Sequence, residues 1–525
     1  MPRLELARAH LLHRLPLKGV VAFSWLGLGC FVHATWQDDI GYTQLASELG
    51  ASMPTGAGII LLQTEADSGA SPPDYLPQAG GPGSFSGTSI NTGKTFYPES
   101  GLGEYRSHAF TVSSYLYAND MGVARGVTEV HFYTANDFLS RVYNGVTPTI
   151  FPGRVQNHSW VGTTNDATTD ALLLRRFDYM LNRDGCIAAV PLNNNSGAMP
   201  ALMGNNYHAL TAGVLSGVHS QGGTNTDGSG RMKPDLVVNE GETSYASPII
   251  AGCAAVLLQT ATASGNASAQ KPQVIKAQLL AGASKKNLPQ WRRTADAKPY
   301  DDVFGAGELN LRNAHYIQQG GQFTFSTSVE RPSRGWDFAS TTTGVSGRRY
   351  FFSIPVGRYA RTFSTALTWH RSFSLPSYSP TLANLTLRLY AAAGFATVGG
   401  AISTSGSSVD NVEHLFLYNL PSGQYVIEVT SDTSNISYGL AWDAQLGDGP
   451  LLAPSFSGEQ IQLDAVNLDP QATYTIESSP DLADPWTTEH TFRTADGTPA
   501  FMHSWQPSSQ PAAPHFFRMR WTPVR

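Results

Sequence analysis

The chain has 525 residues, against roughly 150 for a typical domain, so several folded units are expected rather than one. Glycine (51) and proline (32) together stay well below the roughly 25–30% that marks low-complexity chains, and 41% hydrophobic residues suffices to build real cores, which excludes wholesale disorder and a collagen-like chain. Charged residues make up only 14%, the formal net charge is −6 and no basic face stands out, so the charge pattern gives no support for nucleic-acid binding.

At the N-terminus Arg3, Arg8, Arg14 and Lys18 precede an apolar run from Gly19 to Phe31, and Val32-His33-Ala34 has the small-residue character of a cleavage site. Residues 1–34 are therefore predicted to be a secretory signal peptide, which implies a secreted protein, extracellular or periplasmic. The run is shorter than the ~20 residues that span a bilayer and no later stretch of 18 apolar residues follows, so no membrane span is expected. Gly27 stands where a lipoprotein box around Leu28-Gly29-Cys30 needs a branched aliphatic residue, so lipidation is not expected. Loss of the signal leaves Cys186 and Cys253, too few for a disulfide framework; buried thiols are the expectation, with one bridge between them as the alternative.

From 35 to 321, short apolar runs alternate with helical patterns, the mark of βα units and a mostly parallel sheet with helices on both faces. Asp39 to Leu49 reads as an amphipathic helix ending at Gly50, its Ile40, Leu45, Ala46 and Leu49 facing the domain, and Gly58 to Leu62 as the strand that follows. Gly126 to Tyr133 alternates as a strand, Ala171 to Asn182 sets Leu173, Phe177, Met180 and Leu181 on one helical face, and Gly185 to Val190 returns as a buried strand. From 322 to 447 the texture changes to alternating strands with polar turns, such as Tyr350–Ile354, Leu385–Tyr390 and Tyr425–Val429, which predicts a β-sandwich domain. A Gly/Pro break at Leu446-Gly447-Asp448-Gly449-Pro450 opens a smaller all-β domain, 448–525, with strands at Tyr474–Glu477 and His515–Arg520. Asp410-Asn411-Val412-Glu413-His414 reads as a solvated turn, with metal binding as the alternative.

The most specific string is Gly241-Glu242-Thr243-Ser244-Tyr245-Ala246-Ser247-Pro248, which runs into the small, apolar helix from Ile249 to Leu258. It resembles the nucleophile motif of the subtilisin-like serine peptidases, with Glu242 where that family usually has glycine. Ser107-His108-Ala109-Phe110-Thr111-Val112-Ser113-Ser114 resembles the family's histidine helix, and Val155-Gln156-Asn157-His158-Ser159-Trp160-Val161-Gly162 its substrate-lining strand, where Trp160 either offers apolar surface to substrate or packs in the core. Val190-Pro191-Leu192-Asn193-Asn194-Asn195-Ser196-Gly197 fills the place of the oxyanion turn, Met232-Lys233-Pro234-Asp235-Leu236-Val237-Val238 resembles the strand before the serine loop, and Phe304-Gly305-Ala306-Gly307-Glu308-Leu309-Asn310 the turn before the last helix. The likeness covers about residues 39–320.

The resemblance implies an α/β, subtilisin-like fold followed by two all-β sandwich-type domains, and a serine endopeptidase acting on polypeptides. Ser244 is the expected nucleophile, His108 its base and Asn194 the oxyanion donor, with Asn195 as the alternative register. The acid that orients the imidazole is expected at Glu65, where the strand opening at Gly58 reaches the carboxyl edge of the sheet, or at Asp67 of the literal Asp-Ser-Gly string. No cofactor is required for this chemistry, structural calcium is left open, and a monomer is expected. The stretch of about 23 residues between Ala34 and the first strand falls short of the roughly 40 that fold unaided, so a chain beginning at Thr35 is expected to need no separate pro-domain. The alternative function is a catalytically silent scaffold of the same fold that binds protein or glycan through its β domains.

Overall fold

The alternation of side chains along each apolar strand sends neighbours into two different hydrophobic layers, and this builds a sheet covered on both faces. In the strand Ile60–Glu65, Leu61 enters one layer with Val130, Phe132, Ile187 and Ala189. Leu62 enters the other with Tyr133, Ala188 and Val190. The strands lie in the order Leu236–Val238, Leu210–Val214, Ile187–Pro191, Val155–His158, Ile60–Glu65, Glu129–Thr134, Lys94–Pro98 and Gly83–Phe85. The first seven run parallel and the last pairs antiparallel at the edge. This computed structural model describes residues 35–522 apart from 80–82, 86–89, 91, 223–225, 343–346, 356–357, 450, 458–459, 469–472, 480–485, 494–500 and 506–515. The predicted signal peptide, 1–34, lies outside the described residues.

The topology fixes where a site can form. From Ile60–Glu65 the chain passes to the far edge on one side and returns inward through Gly83–Phe85, Lys94–Pro98 and Glu129–Thr134, then crosses to Val155–His158 on the other side. The carboxyl end of Ile60–Glu65 is thus the switch point of the sheet, the crevice where open α/β sheets hold their ligands. The helices Ser107–Tyr117 and Thr243–Ala263 cover the face that Leu61 enters, and Ala135–Tyr143 with Ala167–Asp184 cover the other. Thr243–Ala263 is the one helix among the described residues long and apolar enough to cross a membrane, yet its apolar length is spent inside the core. At Gly252 an added Cβ would fall 2.6 Å from the Cβ of Val123, so a larger residue there would push the two segments apart.

The predicted helix from Asp39 to Leu49 is two helices, Trp36–Asp39 and Tyr42–Leu49, because Gly41 adopts a left-handed backbone (φ 71°) between them. Ile40 and Leu45 are fully buried in the main core, and Ala46 and Leu49 pack against it. The strand expected from Gly58 begins at Ile60 and ends at Glu65.

Two four-stranded antiparallel sheets follow. One orders Arg334–Ser340, Ser437–Asp448, Arg358–Trp369 and Val412–Leu420; the other orders Arg348–Ile354, Gly423–Ser431, Leu385–Ala393 and Ala396–Ser405. Phe363, Leu367, Leu440 and Trp442 of the first meet Phe352, Leu387, Ile427 and Val429 of the second in one core. The opposite face of the first sheet lies on the helix Pro272–Gly282, so that Ala366, Val412 and Ala441 belong to the core of the α/β unit itself. Buried polar groups tie the same seam: Arg371 pairs with Asp178 at 2.7 Å and with Asp227 at 2.6 Å, and the His370 ring stacks on His208 at 3.9 Å.

The segment Asp410–His414 corrects the expectation of a solvated turn, since all five residues are buried. Asp410 accepts the Met232 N–H at 2.9 Å and so joins the seam, while Glu413 accepts the Ser407 N–H at 2.6 Å and the Ser405 hydroxyl within the β unit. Among the described residues no cluster of three His, Cys, Asp or Glu side chains could hold a metal. Beyond Asp448 lie two three-stranded antiparallel sheets, Leu451–Ser457 with Gln460–Leu468 and Phe501–Trp505, and Thr487–Arg493 with Thr473–Ser479 and Phe516–Thr522. Cys186 and Cys253 are free and buried; burial raises both thiols, that of Cys186 to about 12.

Candidate active site

Glu65 is the last residue of the switch-point strand, and its side chain is only 1% exposed. Strand alternation puts Leu61, Gln63 and Glu65 on the face covered by the helix Ser107–Tyr117. Ala109, Val112, Ser113 and Leu116 turn that helix's buried side to the sheet, which leaves His108 at its first turn, beside the strand end. The His108 Nδ1 lies 2.7 Å from Glu65 Oε2. The other carboxylate oxygen, Oε1, accepts from Gln63 Nε2 at 2.9 Å. Gln63 in turn accepts from the Ser113 hydroxyl at 3.1 Å, which accepts from the Tyr117 hydroxyl at 2.6 Å. Glu65 is thereby held at both oxygens, and a held carboxylate fixes the tautomer of the imidazole with Nε2 turned outward.

Burial pulls the His108 pKa down, but the hydrogen bond and charge of Glu65 outweigh it, Arg106 opposing and Glu242 adding; the net is a value above that of ordinary histidine. Asp67 lies in the loop beyond the strand, where it accepts the Gly69 N–H at 2.8 Å, and it does not join His108.

His158 stands opposite Thr64 in the parallel register, which places it on the face away from Glu65. It is fully buried, shares a 2.7 Å hydrogen bond with the Thr64 hydroxyl, and burial lowers its pKa to about 3. Trp160 is also buried, with its indole N–H donating to Thr64 Oγ1 at 2.7 Å, so of its two expected roles the structure records core packing. Gly162, on the segment expected to pair with substrate, already exchanges two 2.9 Å backbone hydrogen bonds with Leu202.

Ser244 is the second residue of the helix Thr243–Ala263. Its carbonyl accepts from Ser159 Oγ at 2.9 Å, and one turn further on Ser247 Oγ donates to Asn157 Oδ1 at 2.8 Å, which pins the helix start over the sheet end. The Tyr245 ring lies 6.0 Å from that of His108 and stacks on Tyr115 at 5.6 Å. Tyr245, the residue after Ser244, thus brings the start of this helix near His108, but no hydrogen bond joins the Ser244 hydroxyl to the imidazole; such bonds are commonly open before substrate arrives. The Ser244 N–H makes no backbone hydrogen bond among the described residues, as expected in the first turn of a helix, where free N–H groups and the dipole favour negative charge.

Of the three consecutive asparagines, Asn194 reaches the serine loop. Its Oδ1 accepts from Thr243 N at 2.9 Å and from Thr243 Oγ1 at 2.7 Å. This commits the acceptor end of the amide and presents the Nδ2 donor beside the residue that precedes Ser244. Asn195 instead closes its own turn, accepting from Asn193 Nδ2 at 3.2 Å and Gly197 N at 2.9 Å. Sequence reasoning missed Gln63, Ser113 and Asn157. The signal for the first was a polar residue two places before Glu65, on the same face of a buried strand.

No family model matches the sequence, and no curated protein matches it. Among solved structures, that of the prenylagaramide maturation protease PagA is similar over 52% of this chain and 97% of its own, at 16% identity and a TM-score of 0.35. The PatG macrocyclase domain is similar over 54% of this chain and 97% of its own, at 14% identity and a TM-score of 0.37. The epidermin leader peptide processing serine protease EpiP of Staphylococcus aureus is similar over 56% of this chain and 84% of its own, at 12% identity and a TM-score of 0.34.

Proposed function

We propose that the chain is a secreted serine endopeptidase with a Glu65–His108–Ser244 triad. The observation that carries the reading is the 2.7 Å contact between the buried Glu65 carboxylate and His108 Nδ1 at the switch point of the sheet, in a chain whose Ser244 is the second residue of the helix Thr243–Ala263. In this reading Ser244 Oγ attacks the scissile carbonyl while His108 Nε2 takes its proton. Glu65 stabilises the imidazolium that results, and Asn194 Nδ2 with the Ser244 N–H holds the oxyanion. His108 then delivers the proton to the leaving amine, and water attacks the acyl-enzyme by the same route in reverse. No cofactor enters these steps.

The competing reading is a silent scaffold that binds protein or glycan, and one observation favours it: the Ser244 hydroxyl is not hydrogen-bonded to His108. A fluorophosphonate probe separates the two. Labelling of the purified protein that Ser244→Ala abolishes supports the peptidase; absence of labelling in the intact protein rejects it.

A further inference from the structure

Glu242 stands at the N-cap of the serine helix, is exposed, and makes no capping hydrogen bond to that helix. Its carboxylate turns instead to Asn194, whose Nδ2 donates to Glu242 Oε2 over a long 3.4 Å. Asn194 Oδ1 is already committed to Thr243, so Nδ2 is the end of this amide left for an oxyanion, and in the free protein Glu242 occupies it. A carboxylate there competes for the donor and repels the negative charge that attack on a carbonyl creates. Among the described residues no Lys or Arg forms an ion pair with Glu242: Arg106, the cation that acts on His108, is paired with Asp74 at 2.7 Å, and the imidazolium of His108 feels Glu242 less than it feels Glu65. Glu240, on the same loop, is occupied by the Tyr115 hydroxyl at 3.1 Å and adds to the negative field.

Resting on the peptidase reading, we propose that Glu242 is a specificity-determining residue that selects peptides with a Lys or Arg side chain beside the scissile bond. The substrate cation draws the carboxylate away from Asn194 and neutralises it, which frees the amide for the oxyanion. A neutral or acidic side chain leaves Glu242 in place, so the same chemistry proceeds against an adjacent negative charge. The weakness of the 3.4 Å bond and the exposure of Glu242 are what such an exchange requires.

The test uses the full chain, with active sites counted by fluorophosphonate titration, and quenched peptides that differ only in Lys, Gln or Glu flanking the cleaved bond. The wild type is expected to favour Lys over Gln by about fivefold in kcat/KM, the scale of an exposed ion pair, and to lose that preference at high salt. Glu242→Gln should raise the rate on the Gln peptide and abolish the preference and its salt dependence; Glu242→Lys should reverse the preference toward Glu. If the variants titrate normally and the preferences of both match the wild type, the proposal is overturned while the peptidase reading stands. If neither the wild type nor the variants titrate, the peptidase reading fails and this proposal with it.

Discussion

Replacing Glu65 with glutamine removes one charge and keeps the shape of the side chain, so it isolates the electrostatic role of the acid. With Nδ1 and Oε2 2.7 Å apart, the charge centres of an imidazolium and a carboxylate are separated by about 4 Å. At an effective dielectric near 20 that separation is worth ~4 kcal/mol, or about three decades of rate if it is felt only in the transition state, where His108 is charged. Glu65→Gln should therefore lower kcat by about a thousandfold with little change in KM. The pH profile carries a second signature. Glu65 holds the His108 pKa above its ordinary value against the downward pull of burial, so the acid limb of kcat/KM should lie above that of a free imidazole. Without the carboxylate, burial and Arg106 outweigh the smaller upward pull of Glu242, and the limb should move to lower pH even as the plateau falls. Steady-state kinetics on a quenched peptide from pH 5 to 9 reads both effects. Wild-type turnover in Glu65→Gln, or an acid limb moved upward, would refute the assignment, whereas Asp67→Asn should change neither because that side chain only closes its own loop.

Asn194→Ala should lower kcat by about 10²- to 10³-fold with KM nearly unchanged, while Asn195→Ala stays close to wild type, as measured on the same peptide. Arg371→Met removes the guanidinium that the buried carboxylates of Asp178 and Asp227 share, leaving Asp178 the Tyr207 and His208 N–H groups and Asp227 its pair with Arg175, and should cost about 3 kcal/mol, read as a lowered urea midpoint with active-site titration intact below it. Removing residues 322–525 should give insoluble or unfolded protein, whereas a chain ending after Asp448 should fold; soluble yield and fluorophosphonate labelling distinguish them.

Much of the crevice was legible because strand geometry is rigid. Counting along an extended segment locates its carboxyl end, and that count favoured Glu65 over the literal Asp-Ser-Gly string two residues on. The asparagine turn was less legible, since three identical residues leave the register open, and only the fold shows which one meets Thr243. His158 illustrates the limit of motif reading. Its neighbourhood reads as a substrate strand, but register with Thr64 turns it to the other face, and two occupied sheet neighbours leave Val155–His158 no free edge. The chain from Tyr117 through Ser113 and Gln63 to Glu65 escaped notice for a different reason: its members are scattered in sequence, and each alone looks like an ordinary polar residue.

The change of texture near residue 321 suggested an α/β domain followed by a separate β-sandwich domain, but the helix Pro272–Gly282 carried a signal that ties the two together. Val274, Ile275, Ala277, Leu279, Leu280 and Ala281 point around its whole circumference, and an α-helix apolar all round must be covered on every side. The helices Thr243–Ala263 and Leu311–Gly320 cover only part of it. The strands Arg358–Trp369 and Ser437–Asp448 cover the rest, and the approach is so close that a Cβ on Gly439 would fall 2.5 Å from the backbone of Gln273. Lys276, buried on the same helix, donates to the Ala209 carbonyl at 2.8 Å and lies 3.4 Å from Asp235, so even its charge is spent inward. A helix of this composition exposes a broad apolar face once the β strands are removed, and this is why the two-sheet unit belongs to the folding of the α/β unit.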